Sequence, residues 1–285
     1  MVTLPPPRYA VMGNPIAHSL SPLIHQQFAQ QVGISVQYDK ICAPLDGFAN
    51  SVADFFAQGG KGLNITVPFK EQAYELAREH LGNNGRCATA INTLWMQDGQ
   101  LHGDNTDGAG LLLDLHRLGH ITPSQRILLL GAGGAAKGVL LPLMNSGCAH
   151  LHIANRNPRR AEQLATHAQS LAQNHGLDTI ISSSGLDPIP GSWDLIINAT
   201  SASLTGQSVA LPNGLFNPQA LAYDMMYGAQ PTPFMRQAQA ANVPNVADGL
   251  GMLVGQAAAS FAIWHGLQVN TEPVINALRQ QLLAT

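Results

Sequence analysis

Residues 126 to 138 read RILLLGAGGAAKG: an unbroken apolar run that ends in glycines and opens a helix-like stretch. Gly131, Gly133 and Ala136 stand in G-x-G-x-x-A spacing, which lets a backbone turn tightly after a strand and come close to a diphosphate. The diphosphate charge would rest on unpaired N–H groups and on the positive end of the helix. A glycine-rich strand end also occurs for packing reasons, but the apolar strand before it and the helix after it favour a dinucleotide site. About two dozen residues on, where an NAD site places an acid on the ribose hydroxyls, the chain reads ANRNPRRAE, with Asn155 and Arg156 in that place and Arg159 and Arg160 beyond. An acid repels a 2′-phosphate and guanidinium groups bind one, so the expected cofactor is NADP rather than NAD. One of Arg159 and Arg160 is equally well read as solvating the start of a helix.

Around this loop the chain alternates. HLHIANR, a helix over 158 to 175, DTIISSS, WDLIINATS and LAYDMMY continue the series as a six-element α/β sheet of the dinucleotide-binding kind. Upstream, YAVMG, VQYDKICAP and GLNITVP read as strands. SPLIHQQFAQQVG, with a Ser N-cap and Gly33 at its end, GFANSVADFFAQGG and FKEQAYELAREH read as helices. Repeated βαβ implies a parallel sheet with right-handed crossovers. ATAINTLWMQDGQLHGDNTD reads as two short strands about an Asp-Gly turn, and GAGLLLDLHRLG as a helix able to bridge two lobes. The helices at 249 to 266 and EPVINALRQQLL have no strand to follow. The expected organisation is therefore α/β with two lobes: residues 1–107, with a mostly parallel sheet and completed by 249–285, and a dinucleotide-binding domain over 108–248.

At 285 residues the chain is long enough for a core in each lobe. Charged residues make up 11%, against about a quarter in ordinary domains, so the surface is largely neutral and polar. A net charge of −3 offers no basic face, which argues against nucleic acid and anionic membrane as partners. Residues 249 to 267 lack charge but contain Gln256, Ser260 and His265, and read as a buried helix rather than a membrane span. No signal sequence is read at the N-terminus, and three widely spaced cysteines, Cys42, Cys87 and Cys148, fit a reducing cytoplasm. Eleven histidines include His116 and His120, and His150 and His152, but neither pair has a third ligand, so no metal is expected.

The chain has four lysines, and one of them, Lys70, stands at a strand-to-helix handover in GLNITVPFK. GNPIAHSLSP, NITVPFK, AINT, GDNTDG and ADGLGMLVGQ set hydroxyl and amide groups in apolar surroundings, where each must find a partner. Taken together and in order, these stretches closely resemble the shikimate dehydrogenases of the bacterial NADP-dependent type. The resemblance runs from Tyr9 to the C-terminal helix. It implies two lobes with a cleft between them and reversible reduction of 3-dehydroshikimate to shikimate. Reducing a ketone with hydride needs a proton for the developing alkoxide, and a partly buried Lys can supply it. Lys70 is expected to be that acid, and the base in oxidation, with Asp107 as its partner.

The resemblance further implies that Ser19 and Ser21 hold the substrate carboxylate, that Thr66, Asn92, Asp107 and Gln256 contact the ring hydroxyls, and that Tyr227 lies nearby. Asn64 has a structural and a binding reading of equal weight. By the same resemblance Gly131, Ala132, Gly133, Gly134 and Ala135 take the diphosphate, and Asn155, Arg156, Asn157 and Arg160 the adenosine phosphate end. Thr200, Met225 and Gly249 fall on the cofactor side. The chain departs from the family pattern at Leu20, Thr89, Ala202 and Ser203, and Asn83 stands where an acidic residue is frequent. Two alternatives stay open: a quinate/shikimate dehydrogenase with relaxed cofactor use, and a non-catalytic NADP-sensing module. The intact Lys70 and Asp107 weigh against the sensor. A small-molecule substrate and a monomer or homodimer complete the expectation.

Overall fold

A computed structural model describes residues 5–200, 202, 209, 211, 212 and 214–284. The chain folds into two compact units, one formed by Met1–Gly110 and Val254–Val274, the other by Leu111–Leu253 and Ile275–Thr285. The sequence reading placed the divisions at 107/108 and 248/249 and gave the whole C-terminal segment to the first unit. Ile275–Thr285 groups instead with the second unit, where Arg279 donates to Asp248 Oδ1 at 2.5 Å and to the Gly228 carbonyl at 2.9 Å.

The first unit begins β1 (Arg8–Gly13), α1 (Ser21–Val32), β2 (Gln37–Cys42), α2 (Phe48–Ala57), β3 (Gly62–Ile65) and α3 (Lys70–Ala77). A short α4 (Asn83–Ala88), β4 (Thr93–Gln97) and β5 (Gln100–Asp104) follow. The sheet order is β2-β1-β3-β4-β5. β1 pairs in parallel with β2 and β3, as the βαβ pattern requires, whereas β4 and β5 are antiparallel. The β4–β5 hairpin follows from the Asp98-Gly99 turn, whose φ values of 52° and 77° give the two-residue loop a right-handed twist. β1 is buried almost throughout because both faces of the sheet are covered. On one face Met12, Phe48, Leu63, Ile65, Phe69 and Ile91 form a core in which Phe48 stacks on Phe69 at 4.6 Å. Tyr9 stacks on Trp264 at 5.0 Å, and the first-unit part of α9 (Leu250–His265) brings Phe261 against Phe28 of α1.

α4 was not expected from sequence. It has too few residues to show a helical period, and it is held by the Gly85 N–H, which donates to Asp104 Oδ1 at 2.6 Å. It stops at Thr89, which adopts φ 48°. A β-branched residue is strained there, and Thr89 is one of the positions at which the chain departs from the pattern it resembles.

α5 (Asp107–Arg117) carries the chain into the second unit, which contains β6 (Arg126–Leu130), α6 (Gly134–Asn145), β7 (His150–Ala154), α7 (Pro158–His175), β8 (Ile180–Ser184) and β9 (Trp193–Asn198). β10 (Phe216–Asp224), α8 (Pro233–Ala240), β11 (Asn245–Asp248) and α10 (Glu272–Leu283) complete the elements. All six strands are parallel in the order β11-β10-β9-β6-β7-β8. The first strand of the series thus lies inside, with successive strands added outward on each side, as in a doubly wound nucleotide-binding sheet. Four strands read from sequence around β6 are present; β11 and α8 are additional. No helix among the described residues is long and apolar enough to cross a membrane.

Candidate active site

Lys70 is the first residue of α3. The Phe69 N–H donates to the Thr66 carbonyl at 3.0 Å and closes the turn that ends β3, while the Phe69 ring is wholly buried. The Lys70 carbonyl accepts from the Ile91 N–H at 2.9 Å. Backbone and neighbour are therefore fixed, and the side chain reaches Asp107, with Nζ 2.5 Å from Oδ2. The side chains are 26% and 10% exposed. Asp107 is buried and Lys70 partly so; desolvation of such a pair offsets much of its attraction, so its geometry invites a chemical explanation.

Asp107 opens α5, and its N–H donates to Asn105 Oδ1 at 2.9 Å. Its Oδ1 accepts from Asn92 Nδ2 at 2.8 Å, and the same amide lies 3.4 Å from Gln256 Oε1. Asn92 cannot turn over without loss. Its Oδ1 accepts from the Thr106 N–H at 2.9 Å, the Thr106 hydroxyl at 3.1 Å and the Thr93 hydroxyl at 2.9 Å.

Behind it, Asn64 Nδ2 donates to Ser260 Oγ at 2.9 Å and to the Asn92 carbonyl at 3.2 Å. Asn64 Oδ1 accepts from the Tyr38 hydroxyl at 2.7 Å. Both amide protons thus have protein acceptors, and the buried side chain is further tied to Tyr38 and to His25. Tyr38 also bonds to Ser21; burial pushes its phenol well above the ordinary value, and the Ser21 bond works the other way.

The Ser21 N–H donates to Ser19 Oγ at 3.3 Å, and the two hydroxyls lie 3.2 Å apart. Ser21 is the first helical residue rather than the cap: Leu20 holds the cap position and makes no side-chain cap bond. An unbroken chain of hydrogen bonds therefore joins Ser19 and Ser21, through Tyr38, Asn64 and the threonines, to Asn92, Asp107 and Lys70. Thr66, half-buried, lies on the same strand end as Asn64, its N–H donating to the Met12 carbonyl at 2.9 Å. Tyr38, Thr93, Thr106 and Ser260 were missed as site residues by sequence reasoning. The threonines lay inside the motifs already quoted, and Ser260 stands one helical turn from Gln256.

In the second unit the chain leaves β6 at Gly131 with φ 108°, where a Cβ would also lie 3.1 Å from Thr200 Cγ2. Thr200 follows β9 and its hydroxyl donates to Asn198 Oδ1 at 2.7 Å. β6 and β9 adjoin where the strand order reverses, the place ligands occupy in such sheets. Gly133 caps α6 with no side chain over the helix end, and a Cβ on Gly133 or Gly134 would meet nothing within 4 Å. Ala132 and Ala135, half-buried, complete the loop.

At the end of β7, Asn155 Nδ2 donates to the Asn157 carbonyl at 3.0 Å, and Asn157 Oδ1 caps α7 by accepting from the Arg159 N–H at 3.1 Å. Arg156, Arg159 and Arg160 are exposed, and no ion pair among the described residues includes them. Gly249 donates to the Met226 carbonyl at 3.0 Å, and a Cβ there would lie 2.1 Å from the Met225 carbonyl oxygen. Tyr227, half-buried in this unit, has a phenol raised by burial and by Asp248. Ser203 lies outside the described residues, while the Ala202 N–H donates to Thr200 Oγ1 at 3.4 Å. His150 and His152 both bond to Ser182. Among the described residues no three His, Cys, Asp or Glu side chains are placed to hold a metal.

A parallel dinucleotide-type sheet, and a second α/β unit with a Lys–Asp pair set in neutral polar groups, define a two-domain dehydrogenase. Family patterns agree: the shikimate dehydrogenase substrate binding domain matches residues 11–94, shikimate/quinate 5-dehydrogenase residues 116–205, and the shikimate 5′-dehydrogenase C-terminal domain residues 249–279. The NADP(+) shikimate dehydrogenase of Bordetella avium is 56% identical over 97% of this chain and 96% of its own length. That of Bordetella petrii is 53% identical over 98% of each. The structure is similar to that of shikimate 5-dehydrogenase from Thermus thermophilus in complex with NADP(H) and shikimate, with TM-score 0.83 and 32% identity, covering 97% of this chain and 100% of the other. The chain belongs to the shikimate dehydrogenase family.

Proposed function

We propose that the chain catalyses the reversible, NADP-dependent reduction of 3-dehydroshikimate to shikimate, a step of aromatic amino acid biosynthesis. The observation that carries this reading is the Lys70–Asp107 pair at 2.5 Å, with the second Asp107 oxygen bound by Asn92. Ser19 and Ser21 at the start of α1 take the substrate carboxylate, and Thr66, Asn92, Asp107 and Gln256 take the ring hydroxyls, with Asn64 and Tyr227 as further substrate-binding residues. In reduction the Lys70 ammonium gives a proton to the oxygen of the former carbonyl, and in oxidation the Lys70 amine takes it back. Asp107 accepts from a ring hydroxyl and, as counter-charge, keeps the ammonium aimed.

The residues present fit NADP. The uncovered α6 terminus and the open space at Gly133 and Gly134 suit a diphosphate, held by Gly131 to Ala135. The guanidinium groups of Arg156 and Arg160, with Asn155 and Asn157, suit a 2′-phosphate. Thr200, Met225 and Gly249 line the nicotinamide end. When bound, the cofactor supplies or accepts the hydride. None of the three cysteines is in a disulfide, in keeping with a cytoplasmic enzyme, which we take to be a monomer or homodimer.

The test is a steady-state assay of shikimate oxidation with NADP, followed by nicotinamide absorbance. Lys70→Ala should lower kcat by roughly 10²–10⁴-fold, the usual worth of a positioned acid–base, and change KM little. Undiminished turnover in that variant would remove Lys70 from the proton transfer.

A further inference from the structure

Beneath the Lys70–Asp107 pair, Ser260 joins two carboxamides and two threonines. It sits on α9, is 0% exposed, and has its Oγ 2.9 Å from Asn64 Nδ2, 2.8 Å from Thr93 Oγ1, 3.2 Å from Thr106 Oγ1 and 3.0 Å from the Gln256 carbonyl. Counting protons shows what it does. Asn64 Nδ2 can only donate, so Ser260 Oγ accepts there. Thr93 and Thr106 have one hydroxyl proton each, and both lie within bonding distance of Asn92 Oδ1. They can both donate to it only if neither spends its proton on Ser260. Ser260 accepts from Asn64 and has one proton to give. Its shortest contact, 2.8 Å to Thr93 Oγ1 against 3.0 Å to the Gln256 carbonyl, points that proton at Thr93 and leaves the Thr93 proton for Asn92, whose Oδ1 the Thr106 N–H and hydroxyl also hold.

With its oxygen so held, the Asn92 amide must present Nδ2 to Asp107. The reversed amide would set oxygen against the Asp107 carboxylate and push it off Lys70.

We propose that Ser260 is a positioning residue for the proton transfer, acting through the orientation of Asn92 on Asp107. The inference rests on the reaction proposed above. It calls for a hydroxyl at position 260 and not merely for a side chain of that volume.

Ser260→Ala and Ser260→Cys separate the two, because a thiol fills the space but bonds weakly. In Ser260→Ala, kcat should fall roughly tenfold, the equivalent of one lost orienting hydrogen bond, with KM for NADP unchanged. Ser260→Cys should lie between Ala and wild type while the two variants melt alike. The side-chain amide resonances of Asn92, followed by NMR in the free protein, should shift in Ser260→Ala whether or not the reaction has been assigned correctly. A kcat within twofold of wild type, a change confined to KM for shikimate, unmoved Asn92 resonances, or kcat values that only track melting temperature would each overturn the proposal. If Ser260→Ala does not fold, Ser260→Cys is judged by the same criteria. A wild-type protein without turnover on shikimate would overturn the reaction instead, and the Asn92 resonances would still decide the role of Ser260.

Discussion

Arg156 and Asp107 show how much a single residue discloses in sequence. Arg156 follows a strand where an acid would choose a different cofactor, and this can be read without coordinates because the spacing from the glycine loop fixes the place. The exposed guanidinium has no ion pair to disrupt among the described residues, so Arg156→Asp should leave the fold intact. It should raise KM for NADP by roughly tenfold or more, the scale of one charge-assisted contact to phosphate, and change KM for NAD far less. Steady-state kinetics with both cofactors checks it; equal weakening would take the 2′-phosphate away from Arg156. Asp107 was legible as Lys70's partner by motif, and both its oxygens find donors. Ser260 was not legible as part of the site. A lone hydroxyl in an apolar helix has no period and no spacing rule, and its value comes from partners as distant in sequence as Asn64 and Thr93.

At the scale of elements, long periodic segments were readable and short ones were not. The helices over 158–175 and 249–266 and the strand before Gly131 have enough residues to show their pattern. α4 and β11 have six and four, and are made by tertiary contacts such as Gly85 to Asp104. Loops between elements divide the same way, since two glycines that look alike in sequence do opposite work. A Cβ on Gly249 would lie 2.1 Å from a backbone oxygen that cannot step aside, whereas one on Gly133 would meet nothing. Gly249→Ala should therefore cost on the order of 2 kcal/mol, seen as a lower urea midpoint. Gly133→Ala should keep the midpoint and raise KM for NADP, because its added methyl stands where a diphosphate would approach. The reverse pattern would mean that Gly133 is structural and that the helix terminus is not the cofactor's seat.

For the whole molecule, each unit hides a neutral imidazole, and that sets the response to acid. In the first unit His25 is 1% exposed, stacked on Tyr38 at 4.3 Å among Phe28, Phe261 and Trp264. Burial lowers its pKa to about 3, a hydrogen bond to Asn64 acting in the opposite sense and His265 adding to the fall. In the second unit His152, stacked on Trp193 at 5.2 Å and bonded to Ser182 and Ser184, is lowered to about 4 by burial, then by His150 and Arg126.

An unfolded chain protonates both near the ordinary value of about 6.5, so between that pH and the folded values the unfolded state holds more protons. Stability should then be full above pH ~6.5 and fall as the pH drops toward ~4 and ~3. For His25 the loss reaches on the order of 5 kcal/mol at the acid end. His25→Phe, which keeps a ring in the stack, should flatten the acid slope of the first unit as read by Trp264. It should leave the slope read by Trp193 in the second unit unchanged. Urea midpoints between pH 4 and 7 in single-tryptophan variants give both slopes. If His25→Phe left the Trp264 slope as steep as before, the acid sensitivity of that unit would not come from His25.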